Sequence, residues 1–211
     1  MQAAVYTRYG PPDVLRLAEV DQPVPGPGQV RVKIHATAVT SSDCFIRAGV
    51  AAKAAQVAVT VDAVDRELLV AAAWLHDVGY SAELHATGFH PLDGARYLWR
   101  HGWPGRVCGL VAYHSGAVFV ARARGLGAAL RRYPREQSPV SEALTYADQT
   151  VGPGGQSMTF DERVAEMLAR RGPDSVQARA KDPREPHLRA IAARVERRLS
   201  VRRDGAVALS R

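Results

Sequence analysis

Three polar residues of the chain sit where an amphipathic helix would carry an apolar side chain. His76 follows Leu69 by seven residues and shares a face with Ala72 and Ala73, in the most apolar helical stretch of the sequence. His114 follows Val107, Leu110 and Val111 at the spacing of a buried stripe, and Asp148 falls in line with Val140 and Leu144. Asp77 comes directly after His76, where that helix is expected to stop. Buried imidazoles and carboxylates are costly unless they pair or coordinate something. Each alone has a structural reading, as a satisfied core histidine or a carboxylate capping a loop; together, in successive helices, they read as a site. Imidazole with carboxylate suits a divalent Mn, Fe, Ni or Zn ion, and pure oxygen sites favour Mg. Such an ion activates water near neutral pH and neutralises phosphoryl charge. Asp77 is the group to orient that water or take its proton.

The elements that must position these groups are helices. The apolar spacing predicts one over Gly49–Thr60 and another over Asp65–Val78, with Gly79 as a left-handed cap. A third runs from Pro91 to Arg100, a fourth from Pro104 to His114 and a fifth from Val118 to Arg131. Ser138-Pro139 opens a sixth, ending near Asp148. Two more follow over Thr159–Arg171 and Arg184–Leu199, and residues 201–211 read as a disordered tail.

In sequence, "WLHDVGY" resembles the His-Asp doublet of the HD-domain metal-dependent phosphohydrolase superfamily. "GFHPLDGARYL", "VAYHSGA" and "ALTYADQT" follow in the order and at the spacing of that family. The resemblance covers about residues 50–200 and implies a mainly α, HD-type helical bundle. It implies His76 and Asp77 as central metal ligands, Asp148 as the distal aspartate, and His90 and His114 as further ligands of metal or of substrate phosphate. A cap before Pro91 is an equal alternative for His90. Arg96, Arg122 and Arg124 are candidates for holding phosphate, and His85, His101 and His187 are read as surface residues. The implied substrate is a nucleotide or other small phosphorylated molecule. The family pattern begins with a histidine four residues before a Val-Ala pair; with Val50-Ala51 as that pair, the slot holds Ile46, which cannot bind metal. His35 is the nearest histidine on that side and lies on a predicted strand. Weakened metal binding and turnover follow, with a non-catalytic ligand- or partner-binding module as the alternative.

Residues 1–49 are written differently. Short β-rich runs at Ala3–Tyr6, Val14–Leu17 and Val30–Ile34 are punctuated by Pro11-Pro12 and by the proline- and glycine-rich run from Pro23 to Gly28. This stretch is similar to the opening of the GroES-like domain of medium-chain dehydrogenases of the quinone oxidoreductase type, and the likeness ends at Gly49. No G-x-G-x-x-G follows a strand, and the cluster at Gly152–Gly155 reads as a loop, so no nicotinamide domain accompanies the fragment. The zinc-binding members place cysteine where this chain has Thr40, three residues before Asp43. Hydride transfer is therefore not expected, and an abbreviated sheet points to self-association.

Net charge is +7, and the stretch from Arg171 onward holds eleven basic and five acidic residues, hence +6 of it. It lacks interleaved aromatics and any nucleic-acid motif, so a solvated basic helix is expected rather than a nucleic-acid surface. The longest apolar run, Leu68–Leu75, is too short to span a membrane. Cys44 and Cys108 have no metal-type spacing, and with no signal peptide a cytoplasmic protein is expected.

Overall fold

The computed structural model describes residues 2–5, 7, 16–27, 49–153, 155–172 and 174–208. Strands β1 (Gln2–Val5) and β2 (Arg16–Glu19) pair antiparallel, with Ala3 opposite Ala18 and Ala4 opposite Leu17. The expected strand at Val30–Ile34 lies outside the described residues, as do His35, Thr40 and Ile46.

From Val50 the described chain is helical: α1 (Val50–Val57), α2 (Arg66–Leu75), α3 (His90–Arg100), α4 (Gly105–Tyr113) and α5 (Ala117–Ala123). Then come α6 (Gly127–Leu130), α7 (Pro139–Gln149), α8 (Phe160–Arg171), α9 (Val176–Arg179) and α10 (Lys181–Ala208). The helical periodicity thus becomes a mainly α architecture. Ser138 opens α7 as the sequence implies: its Oγ accepts from the Ser141 amide, the Ser141 Oγ accepts from the Ser138 amide, and Pro139 occupies the first turn.

Three expectations are corrected. The single helix over Val118–Arg131 is two, because Gly125 takes a left-handed φ of 71° and turns the chain between α5 and α6. Gly79 is not a left-handed cap. It lies in a short 3-10 turn, Val78–Tyr80, where an added Cβ would fall 2.1 Å from the His90 carbonyl oxygen and 2.5 Å from the Gly94 amide. Glycine is needed there for close approach of two backbones rather than for a special dihedral. Finally, α10 carries the chain helically to Ala208, through most of the stretch read as a tail; residues 209–211 lie outside the described ones.

Two apolar clusters hold the helices together. Val50, Ala54 and Val57 of α1 pack with Leu69 and Ala73 of α2 and with Val140 and Leu144 of α7. Leu92 and Leu98 of α3 pack with Val107 and Val111 of α4 and with Val120 of α5. Helix α4 joins the two, since Leu110 faces the first cluster while its neighbour Val111 faces the second. Each buried Leu or Val contributes about 1.5–3 kcal/mol of transfer free energy. A helix inserted into both clusters has its C-terminal end fixed on two sides.

Candidate metal centre

The ends of α2, α4 and α7 meet. His76 caps α2, His114 caps α4, and Asp148 is the penultimate residue of α7. Helix C-termini carry partial negative charge and unpaired carbonyls, so their meeting point favours a cation. The start of α3 adds His90, which stacks on Tyr80 with ring centroids 3.9 Å apart. Asp77 follows His76 at φ −101°, ψ 6°, which ends the helix and turns its carboxylate toward the other groups.

All five polar residues singled out in the sequence come together. His76 Nε2 lies 3.2 Å from Asp77 Oδ2 and 3.7 Å from Asp148 Oδ1. His90 Nε2 lies 3.2 Å from Asp77 Oδ1 and 3.2 Å from His114 Nε2. Asp77, His90 and His114 each offer one ligand atom within 4.8 Å of the others. Nitrogen donors bound to one ion at about 2.0–2.1 Å stand about 3 Å apart, so the spacing fits a shared ion.

The rings are oriented by what their other nitrogens do. His76 Nδ1–H donates to the Ala73 carbonyl at 2.8 Å and His114 Nδ1–H to the Val111 carbonyl at 2.7 Å. Both Nε2 atoms are thereby turned inward, the arrangement that metal-binding histidines use. His76 Nε2 is fully buried, with no neutral hydrogen-bond partner and only the Asp77 and Asp148 carboxylates beside it. A buried imidazole nitrogen flanked by two carboxylates is an arrangement that fits a cation, a proton or a metal ion.

The electrostatics agree. Burial opposes charge on His76, but attraction by Asp77 and contacts with Asp148 and Asp77 outweigh it and hold its pKa well above the ordinary imidazole value. Burial also opposes ionisation of Asp77 and Asp148, yet His76 outweighs it and keeps both carboxyls well below the usual range. The field that keeps a proton on His76 is one that a divalent ion would satisfy in its place. Burial, with the charges of His76 and His90, pushes His114 down to about 4.

The sequence reading missed several groups around this centre. Asp93 is fully buried and accepts from the amide and hydroxyl of Thr87 and from Arg96, tying the loop before α3 to that helix. Ser115 Oγ and Gln149 Nε2 both donate to Asp148 Oδ2, leaving Oδ1 as the atom nearest His76. The Ser115 backbone is left-handed, φ 51° and ψ 35°, a conformation costing a non-glycine residue roughly 1–2 kcal/mol.

The centre forms part of the wall of a cavity of about 340 Å³ that Arg124, Arg163, Arg170 and Arg184 also line. Of the three arginines proposed for phosphate, only Arg124 reaches this cavity, and its guanidinium donates to the carbonyls of Thr87 and Gly88. Arg96 is paired with Asp93 instead. His85 and His101 are exposed as expected. His187 is half-buried against Phe119, because α10 lays it over α5, and burial lowers its pKa.

A helical domain with a doublet His76-Asp77 at one helix end, a distal aspartate at another and two further histidines between them holds a cluster that could bind a metal ion. Residues 48–151, just short of half the chain, match the family model of the HD domain, which supports the HD-domain superfamily for this part of the chain. No curated protein and no solved structure gives a significant match.

Proposed function

We propose that this chain is a metal-dependent phosphohydrolase acting on a nucleotide or another small phosphorylated molecule. The observation that carries the reading is the cavity itself, which joins a cluster able to hold a cation, Asp77, His90 and His114, to four arginines. Arginine is suited to planar, multidentate contact with phosphate oxygens. A volume of about 340 Å³ is at the small end of ligand sites, matching a small molecule rather than a polymer.

Asp77, His90 and His114 would hold the ion, with His76 and Asp148 completing its surroundings. When bound, a divalent Mn, Fe, Ni, Zn or Mg ion neutralises phosphoryl charge and makes water more acidic. Asp77, ionised and at the centre of the cluster, orients the attacking water or takes its proton. Arg163 and Arg170, both in contact with Glu166, hold substrate oxygens at the cavity rim.

Residues 1–49 belong, in this reading, to a separate dehydrogenase-like fragment without hydride chemistry, and the chain works in the cytoplasm. Ile46, in the slot of a first histidine, leaves the centre one nitrogen short and turnover low. Metal analysis of purified protein, followed by a phosphatase screen over nucleotides and sugar phosphates with added Mn, tests the proposal. Substoichiometric metal and hydrolysis that depends on Asp77 are expected. Failure to retain Mn, Fe, Ni, Zn or Mg would refute it in favour of a module that binds without turnover.

A further inference from the structure

We infer that Arg184, on the last helix and beyond the segment matching the HD family, is a positioning residue of the metal centre. It acts by clamping the turn that carries His114 and steadies Asp148. The inference rests on the metal-binding reading of that centre.

Arg184 is 9% exposed, an unusual place for a guanidinium unless it holds something. Its Nε–H donates to the Ser115 carbonyl at 2.9 Å, and its Nη1 lies 3.6 Å from Met167 Sδ. Ser115 is fixed at every other polar atom as well. Its amide donates to Thr145 Oγ1 at 3.2 Å and its hydroxyl donates to Asp148 Oδ2. A left-handed serine persists only where its surroundings over-determine it. Here α7 supplies two of the holds and α10 the third. Gly116, next in the chain, is also left-handed at φ 68°, and a Cβ there would come within 3.1 Å of the Arg184 side chain. The turn is therefore shaped around this arginine. Two consequences reach the centre. The direction of His114 depends on the residue that follows it, and the Asp148 oxygen nearest His76 depends on Ser115 holding the other one.

Groups that orient metal ligands without touching the ion typically change affinity by 10–100-fold. Arg184→Met preserves the apolar stem and removes the donor, and Arg184→Lys keeps the charge without the planar Nε–H. In the full chain, Mn titration calorimetry should show at least roughly tenfold weaker binding for both variants. Arg189→Gln, which removes an exposed arginine of the same helix paired with Asp161 and Glu185, should bind Mn as the wild type does. Combining Arg184→Met with Ser115→Gly should weaken binding no more than the worse single change, because both act through one turn. Imidazole nitrogen NMR of the chelated protein reads the same turn without metal, and the His114 signals should move in Arg184→Met while the melting transition stays cooperative. Unchanged His114 signals, or Mn binding equal to the wild type where the wild type binds, overturn the assignment. A wild-type chain that takes no Mn while its His114 signals respond to Arg184 keeps the clamp on the His114 turn and sinks the metal-binding reading on which its role at the centre rests.

Discussion

At the residue scale, His114 is the most exposed to a simple test. Its ordinary pKa is 6.5 and its folded value about 4, so between these the unfolded chain binds the extra proton. Stability from this residue is fully present above about pH 6.5 and is lost as pH falls toward 4, by roughly 3 kcal/mol at most. Asp77 and Asp148, held low, lose theirs in the same direction at more acid pH, below their unfolded values. His76, held high, works oppositely, contributing below pH 6.5 and losing its contribution as pH rises through its folded pKa. Chelated protein should therefore melt at lower temperature at pH 5 than at pH 7, and His114→Asn should flatten that difference; a wild-type slope in the variant would assign it to another group. A second prediction concerns Asp77. Asp77→Asn keeps the shape and removes the charge shared by His76 and His90, so Mn affinity should fall and any turnover should drop about 100-fold or more. Retained turnover would pass the proton-handling role elsewhere. His76, His114 and Asp148 were legible because a polar residue on an apolar stripe violates a period that sequence displays. Ser115 and Arg184 were not, since their contact joins a side chain to a main-chain carbonyl 69 residues away and follows no period.

At the element scale, the helices were legible wherever apolar spacing and caps agreed, as at Ser138-Pro139 before α7. They were misread where glycine decides, because its letter does not say whether it supplies a dihedral or merely vacates space. Gly125 supplies a dihedral, since a Cβ added there would meet nothing within 4 Å, whereas Gly79 vacates space against α3. Gly125→Ala should cost about 1–2 kcal/mol through backbone strain alone and leave metal binding intact. Gly79→Ala should cost about 1–3 kcal/mol by overpacking and also weaken Mn binding, because it pushes Asp77 and His90 apart. Equal Mn affinity in the two variants would argue against that coupling. Helix α1 bears on the vacant ligand slot. It starts at Val50, with Gly49 left-handed at φ 86°, and Ile46 lies outside the described residues. Val50 does line the cavity, and Val50→His should raise Mn affinity several-fold, at about 1–2 kcal/mol of stability for a buried polar group. No gain in affinity would show that this helix start faces the substrate space and not the ion.

For the whole molecule, the separation of residues 1–49 from the helices is read from a change in composition, and the described residues of that part include the antiparallel pair β1–β2. Two four-residue strands are marginal by themselves. Limited proteolysis should cut between Gly28 and Val50 before it cuts the helical part, and the fragment beginning near Val50 should keep its melting transition. Early cleavage within the helices would contradict the division. No helix among the described residues is long and apolar enough to cross a membrane. The crossing of Gly79 against α3 has a consequence for how such a protein tolerates change. In a library of random variants, every replacement of Gly79 inserts an atom into the gap beside His90, so the position should be depleted as severely as Asp77. Intolerance would then score a residue that never meets an ion alongside those that do. Only a readout that follows the ion itself can tell the holders from what holds them.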